Sequence, residues 1–584
     1  MKYPFLSELP ATREMINTFG GYNHNLRIGE GEFYDMTNLS SENFPVLSPR
    51  AQRGVCAKPG IPQGLIAKDT LCYVDGGDFI IDGERVSMGL TADETPKTLI
   101  SMGAYVIIMP DKKWINTVPK NEEPVEYEHG DIEASVETAS TVRFEICKID
   151  GSEYDAIVDV IAPPNPQNMD LWIDTSSVPH TLKQYSEANA RWVAIATTYI
   201  KISATGIGAP FEDGDGVAIS GIESDKLADL NSTMVIWARG DDYIVVTGFL
   251  DIATTQETPI TVTRQMPNMD FIIESENRLW GCRYGESVNG EMVNEIYASK
   301  LGDFKNWNCF AGISTDSYVV TVGTDGPFTG AIAHIGSPLF FKENCMHKVY
   351  GNYPANYRVQ TTICRGVQKG CSNSLAIVNE VLYYKSRYAV CAYDGSLPAE
   401  ISSALGDVSY HNAVAGSLGN KYYISMADSN EEYHLFVYDT AKGMWHREDN
   451  TRATCFCNFR GDLYYIDHKS NDIKSVKGTG KPETAPIKWE AVTGVIGTDS
   501  PDKKYVSRMD VRMLLTIGAS VSLFAEYNSS GEWEHLFTMT GTTLNSFAVP
   551  IRPKRCDHFR LKIVGAGDAK IYSISKTIEQ GSDV

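Results

Sequence analysis

The chain has 584 residues, of which 42% are hydrophobic and 22% charged, and a formal net charge of −22. It contains no apolar run of about 18 residues, which excludes a conventional membrane-spanning helix, and its length predicts roughly two to four domains. The acidic balance argues against a surface that grips nucleic acid, because gripping requires Lys and Arg to neutralise phosphates. The charge serves solubility, or it forms a wall past which DNA slides without binding.

Residues 1–62 are predicted to form an extended N-terminal arm. Gly20, Gly21 and several prolines interrupt regular structure, while Phe33 and Leu47 offer apolar anchors. A segment with anchors but no period of its own docks on another surface, here its own domain or a neighbouring subunit.

Residues 63–117 predict the first propeller blade or blades, because each hairpin places a short apolar strand before a polar turn and a second apolar strand. The pattern then lapses over residues 118–264, which alternate like strands and predict an inserted β domain. Within that domain, residues 182–190 are the best candidate for a short helix.

Residues 265–480 predict the remaining blades, because one hairpin unit recurs there. Each copy places a few apolar residues before a turn and then an aromatic pair such as Tyr383-Tyr384. A period of about 40 to 50 residues with four strands is typical of a propeller. The copies are residues 271–280, 331–341, 375–384, 413–424 and 454–466.

The last part of the chain, residues 481–584, predicts a β-sandwich. Residues 481–486 are predicted to be a linker because they contain two prolines, and the rest alternates polar and apolar residues in short strands. The predicted fold class is therefore all-β: a β-propeller with an inserted β domain and a C-terminal β-sandwich.

The sequence predicts no catalytic, cofactor-binding or metal-binding residues, and no cofactor. The acidic turn at residues 212–216 resembles part of a calcium loop, but the twelfth position counted from Asp213 is Ser224, where a bidentate Glu is required. A plain acidic turn and a weak cation site both remain open. His334 and His347 are interpreted as structural residues of paired strands, and Cys455 and Cys457 as reduced core thiols.

Two further patterns concern sugars. Residues 299–307 have the Ser and Trp ends of the hairpin that sialidase-type propellers repeat, but the interior differs and the pattern occurs once. Aromatic faces stack on sugars, yet residues at equivalent positions of repeats usually pack blade against blade. Packing is therefore the preferred interpretation for Trp280, Tyr383, Tyr384, Tyr422, Tyr423, Tyr464 and Tyr465.

Several stretches of the arm and the blades carry a resemblance to a known group. Residues 20–23, 31–41 and 44–50 resemble the start of large β-propeller structural proteins in phages and prophages of gut and Gram-positive bacteria. The resemblance continues through residues 278–282, 294–303, 340–343, 347–351, 393–395 and 435–440. The group is similar to the nozzle, or tail hub, proteins of short-tailed phages, and the match covers about two thirds of the chain.

This resemblance implies a structural, non-enzymatic role in a virion. The expected protein is assembled in the host bacterial cytoplasm into a homo-oligomeric ring, expected to be a hexamer, below the portal and adaptor proteins. It would contact tail fibre or spike proteins and let genomic DNA pass without specific binding. The alternatives are a carbohydrate- or receptor-binding tail protein and a propeller glycosidase, whose paired carboxylates the sequence does not single out.

Overall fold

A computed structural model of the chain describes residues 11–121, 125–139, 141–287, 289–499 and 502–580. The first ten residues of the predicted arm lie outside this range. Strands dominate, and the helical elements within the described residues are short 3-10 turns at Glu187–Asn189, Asp225–Leu230, Pro354–Asn356, Ser372–Ser374 and Ser403–Leu405. None of the described helices is long and apolar enough to cross a membrane.

Outside the inserted domain, six four-stranded groupings of the described residues follow chain order, as propeller blades do, and a seventh adds an earlier strand of the chain to three consecutive strands. Blade 1 contains Pro62–Ala67, Leu71–Asp75, Asp78–Ile81 and Glu84–Ser87, and blade 2 contains Thr98–Met102, Tyr105–Met109, Lys113–Asn121 and Glu126–Asp131. Blade 3 contains Phe271–Ser275, Arg278–Glu286, Met292–Ala298 and Tyr318–Thr321; blade 4 contains Gly330–His334, Ser337–Lys342, Cys345–Tyr350 and Arg358–Ile363; and blade 5 contains Ala376–Val378, Val381–Lys385, Val390–Tyr393 and Ala399–Glu400. Blade 6 contains His411–Leu418, Lys421–Ala427, Tyr433–Asp439 and Met444–Arg447, and blade 7 contains Ala453–Phe459, Asp462–Asp467, Ile473–Ser475 and Gly54–Ala57.

The chain divides into two compact units. Unit 1 comprises residues 1–96, 341–346 and 362–584, and unit 2 comprises residues 97–340 and 347–361. Unit 1 holds blades 1, 5, 6 and 7 with the C-terminal sandwich, and unit 2 holds blades 2 and 3, most of blade 4 and the inserted domain. The predicted all-β, propeller-like fold class is confirmed.

Aromatic side chains pack neighbouring blades together within unit 1. Tyr383 of blade 5 lies 5.4 Å, between ring centroids, from Tyr422 of blade 6 and 6.1 Å from Tyr438. All seven aromatic residues that the hairpin pattern singled out are buried. Their rings contribute large apolar area in the core of the sheets, which is the structural use that repeats predict.

The segment before blade 1 contributes strands to three separate places in unit 1. Ala11–Ile16 pairs with residues 574–579, Glu32–Thr37 pairs with residues 490–493, and Gly54–Ala57 completes blade 7 by pairing with Ile473–Ser475. Gly21–Tyr22 and Leu39–Ser40 are shorter strands of the same segment, and Ser48–Pro49 pairs with the latter. Lys481–Pro482, in the stretch predicted as a linker, pairs with residues 54–55.

The inserted domain is built from three sheets between residues 134 and 264. Val142, Phe144, Ile202, Val217 and Val262 belong to one apolar core between two of these sheets. The first sheet contains Ala134–Glu137, Thr261–Arg264, Gly216–Ser220 and Thr233–Val235. The second sheet contains Ala238–Gly240, Tyr243–Thr247, Tyr199–Ser203, Val142–Cys147 and Thr254–Gln256. The third sheet contains Ala156–Asp159, Leu171–Asp174, Thr181–Ser186 and Arg191–Ala194.

The helix expected over residues 182–190 is absent, so that prediction is wrong. Thr181–Ser186 is a strand with Leu182 buried, and only Glu187–Asn189 forms a 3-10 turn. Pairing with the strands on both sides supplies the backbone hydrogen bonds that an isolated helix of this length could not retain.

The C-terminal domain consists of two sheets with alternating burial. One contains Lys504–Leu515, Asn545–Val549 and Ala569–Gln580, and the other contains Lys488–Thr493, Ser520–Tyr527, Glu534–Thr540 and Phe559–Ala566. Strand Ser520–Tyr527 buries every second side chain over most of its length, as a strand with one face in a core must.

Gly565 makes room for a buried indole in this domain. It is paired across the sheet with Trp489, and a Cβ at residue 565 would lie 2.0 Å from a carbon of that ring. We expect Gly565→Ala to reduce the free energy of unfolding by about 1–3 kcal/mol, because the ring must move within a packed core. Urea denaturation measures the loss. Gly323→Ala, whose Cβ meets nothing within 4 Å, is the control and should stay close to the wild type.

His446 gives blade 6 a dependence on pH. Burial lowers the pKa of its imidazole to about 3, with a further contribution from Lys421. In the unfolded chain His446 has a pKa of about 6.5 and binds a proton below that pH, whereas in the folded chain it stays neutral. The free energy of unfolding is therefore highest above about pH 6.5 and decreases as the pH falls below it. Between pH 6.5 and pH 5 we expect this residue to remove about 2 kcal/mol. Urea denaturation at both pH values should show a smaller loss in His446→Leu; equal losses would contradict the assignment.

Candidate functional site

Hydrogen bonds and ion pairs hold the acidic turn at residues 212–216 against other parts of the protein. Asp215 is buried; its carboxylate accepts hydrogen bonds from the Arg264 guanidinium and, at 2.8 Å, from the Asn306 amide. Arg264 also donates to the Ile132 carbonyl at 3.1 Å. The carboxylate that a calcium loop would turn towards a cation is therefore paired with a guanidinium.

Two lysines bind the same turn from blade 3. The ammonium of Lys300 donates to the Gly214 carbonyl at 2.9 Å, and that of Lys305 lies 3.1 Å from the Glu212 carboxylate. Asp213 is exposed. The turn thus docks the inserted domain on the loop that follows the third strand listed for blade 3, and cationic side chains occupy positions beside its oxygen atoms.

Both histidines that the sequence singled out are buried in blade 4. His347 has its two ring nitrogens 2.8 Å from the Thr324 hydroxyl and 2.9 Å from the Thr361 hydroxyl. With both nitrogens engaged, the ring of His347 joins two segments of unit 2 and has no free nitrogen for proton transfer or metal binding.

The segment at residues 299–307 forms a braced turn of blade 3. The Ser299 hydroxyl accepts the Leu279 amide at 3.0 Å, and the indole nitrogen of buried Trp307 donates to the Phe304 carbonyl at 3.0 Å. Arg278, also buried, donates to the carbonyls of Ser299 and Ser314. The Ser and Trp of the sialidase-like pattern are therefore used in hydrogen bonds and packing.

Cys455 and Cys457 are half-buried free thiols. Burial raises the pKa of each to about 12. The thiolate, which is the nucleophile and the metal ligand, is therefore disfavoured at neutral pH.

Asp428, Glu432 and His434 form a group that sequence reasoning missed. One potential ligand atom from each lies within 4.8 Å of the others, at the turn between two strands of blade 6. Burial and nearby Arg447 lower the pKa of His434 despite the opposing effect of Asp428, which leaves a neutral imidazole. The Asp428 carboxylate accepts the backbone amides of Asn430 and Glu432. The spacing Asp-x3-Glu-x-His was the signal available in the sequence.

A second missed group lines a pocket of about 330 Å³ in the inserted domain. His180 Nδ1 lies 2.8 Å from the Asp251 carboxylate, and the ammonium of Lys226 lies 3.0 Å from it. Burial alone raises the pKa of Asp251, but the hydrogen bonds from Lys226 and His180 outweigh it and the pKa is lowered. The Asp251 carboxylate can orient the His180 imidazole. Apart from Lys226, the other side chains beside this pair are the apolar Val178, Phe249 and Leu250, which supply no nucleophile.

The pKa shifts of the carboxyl groups bear on acid–base chemistry. Wherever a shift is resolved among the described Asp and Glu residues, the pKa is lowered, as it is for Asp428 and Asp439. Burial acts in the opposite direction at both residues and is outweighed by hydrogen bonds and, at Asp439, by Lys442. The general acid of a glycosidase requires a raised carboxyl pKa. These groups are therefore suited to holding cations and amides.

No family model matches this chain, and no curated protein matches it. Solved structures to which it is similar include an exo-β-1,3-galactanase of Phanerochaete chrysosporium, at 8% identity and TM-score 0.21 over 52% of this chain and 94% of that one. Sqt1 of Saccharomyces cerevisiae has 10% identity and TM-score 0.23 over 74% and 97% of the two chains. An engineered GH43 glycoside hydrolase has 8% identity and TM-score 0.21 over 53% and 96%. Similarity at this level carries no inference about activity.

Proposed function

We propose that this chain is a structural component of a phage tail, a nozzle or hub subunit that assembles into a ring below the portal and adaptor. One observation supports the proposal: polar side chains in the segments that the sequence patterns singled out are hydrogen-bonded to other groups of the protein. Asp215 is paired with Arg264, both nitrogens of His347 face threonine hydroxyls, and Arg278 holds backbone carbonyls. Such hydrogen bonds make a subunit rigid, and these side chains already have partners within the protein.

The charge of the chain supports the same role. A net charge of −22 repels the phosphates of DNA, which suits a wall along which DNA moves without adhering. As a ring component, the protein retains DNA mechanically and releases it when the tail attaches to its host. The expected partners are further copies of this chain, the portal and adaptor proteins, and fibre or spike proteins.

Negative-stain imaging of the purified protein, alone and with a portal–adaptor complex, tests this role. We expect rings of uniform size, at least in the presence of the complex. Particles of monomer size under every assembly condition would contradict the proposed role.

A carbohydrate-binding tail protein is the second candidate, favoured by one pocket of unit 2. This pocket, of about 640 Å³, is lined by Phe310, Ile313, Tyr318, Val319 and Tyr353. Aromatic and apolar side chains of this kind stack on sugar rings. A glycan array discriminates, since selective binding that Tyr353→Ala abolishes would favour this candidate. A panel of chromogenic glycosides tests the third candidate, a glycosidase.

A further inference from the structure

The small sheet of the inserted domain has an exposed apolar edge. Strand Ala156–Asp159 pairs on one side with Leu171–Asp174, and no other strand of the described chain pairs with its second side. Ile157 is 55% exposed and Val158 44%, and the chain continues through Val160 and Ile161, which are 60% and 76% exposed. Monomers usually protect such edges with Lys, Pro or a covering segment, because an open strand of this composition recruits another strand.

The opposite edge of the same sheet is open as well. Strand Arg191–Ala194 pairs only with Thr181–Ser186 among the described residues, and Val193 on it is 39% exposed. Trp192 packs against Trp172 and Tyr185, at 5.5 and 5.4 Å between ring centroids, so aromatic packing fixes the position of this edge.

The two edges run in the same direction. Ala156–Asp159 is parallel to Leu171–Asp174, and two antiparallel pairings then lead to Arg191–Ala194. If the last strand of one copy paired with the first strand of the next, every copy would keep the same orientation relative to its neighbour. A head-to-tail contact of this kind repeats by one rotation and closes into a ring when the rotation angle allows.

The charges on the two edges are complementary. Exposed Asp155 and Asp159 flank the first edge, and exposed Arg191 begins the second. Opposite charges across strands favour pairing, whereas two copies of the acidic edge would repel each other. The acidic edge therefore fits the basic edge of another copy better than it fits itself.

We propose that this sheet is a subunit interface, in which strand Ala156–Asp159 of one copy adds to strand Arg191–Ala194 of the next. The occupant is a second copy of this chain, so the inference rests on the proposed ring and names the surface that builds it. Backbone hydrogen bonds between the two edges supply affinity, and Ile157, Val158 and Val193 supply the apolar contact.

The test compares the assembly of full-length variants by sedimentation velocity and negative-stain imaging, under the conditions in which the wild type assembles. Val158→Lys and Val193→Lys each place a charge on one edge, and Ile517→Lys is the control because Ile517 is 90% exposed on the separate C-terminal domain. We expect either edge variant to weaken self-association about ten-fold or more and the control to leave it unchanged. Circular dichroism and thermal melting verify that the variants are folded.

Charge reversal provides a second measurement that does not depend on the lysine variants. Arg191→Asp should weaken association, Asp155→Arg with Asp159→Arg should weaken it too, and all three changes in one chain should restore it. Rings that form equally well in Val158→Lys and in the charge variants would overturn the interface and leave the proposed function standing. A wild type that stays monomeric even with the portal–adaptor complex would overturn both.

Discussion

Arg53→Met is expected to lower the free energy of unfolding of unit 1 by about 3–5 kcal/mol, because it leaves a buried carboxylate group without its cationic partner. The Arg53 guanidinium lies 2.7 Å from the Glu448 carboxylate and 2.7 Å from that of Asp449. Arg53 and Glu448 are both buried, and a third bond joins the guanidinium to the Thr451 hydroxyl. Removing the cation leaves the desolvation of the buried Glu448 carboxylate uncompensated, and leaves Asp449 with the more distant Arg50 guanidinium, at 3.8 Å.

The position of Arg53 explains why the effect should spread to blade 7. The residue directly precedes Gly54–Ala57, the strand from the start of the chain that completes this blade. Its carboxylate partners follow the last strand of blade 6. Loss of the network therefore loosens the closing strand, and hydrogen exchange of the amides at residues 54–57 should accelerate in the variant.

Urea denaturation of wild type, Arg53→Met and the control Arg85→Met measures the difference. Arg85 also contacts two carboxylates, Asp75 and Asp78, but on the solvent-exposed surface of blade 1. Water screens that network, so its loss should be small. Equal losses in the two variants would contradict the role assigned to burial.

The same network predicts an acid dependence. Burial by itself raises the pKa of Asp449, but Arg53, the hydrogen bonds from Thr451 and nearby Arg50 together outweigh it and hold the pKa below its ordinary value. An unfolded Asp has a pKa of about 4, so this stabilisation is complete above that pH and is lost as the pH falls through the lower folded value. The difference between wild type and Arg53→Met should therefore shrink below about pH 4.

The blades were predictable from the sequence because their signal is local. Alternating apolar residues, a turn and an aromatic pair such as Tyr383-Tyr384 lie within about ten residues, so no distant partner is needed to recognise the hairpin. The strand Gly54–Ala57 gave no such signal. Its partner Ile473–Ser475 is more than four hundred residues away, and only the folded chain shows that the two form one sheet.

The chemistry of the polar residues was harder to foresee for the same reason. Asp215 follows a calcium-like pattern in sequence, yet its meaning depends on Arg264 and Asn306, which approach from other strands and loops. The open edge at Ala156–Asp159 was equally hidden. An apolar strand predicts burial, and only the sheet order shows that one side of this strand has no partner among the described residues.

Asp215→Ala is expected to lower the free energy of unfolding of unit 2 by about 3–5 kcal/mol. The buried Arg264 guanidinium would lose its carboxylate, and the Asn306 amide and the Glu212 backbone amide would each lose an acceptor. Since these partners join the inserted domain to blade 3, the variant should also expose the 300–309 loop to protease.

Asp213→Ala is the matched control, because Asp213 belongs to the same turn but is exposed. Thermal melting with and without about 1 mM calcium distinguishes the two interpretations of the turn. This concentration is roughly 10² times the dissociation constant of the weakest-binding calcium-sensor proteins. A structural turn predicts a large loss in Asp215→Ala, almost none in Asp213→Ala, and no calcium effect on any of the three proteins. A calcium site predicts stabilisation of the wild type that both variants lose, since ligand bound to the folded state adds to its stability. The paired guanidinium at Asp215 leads us to expect the first result.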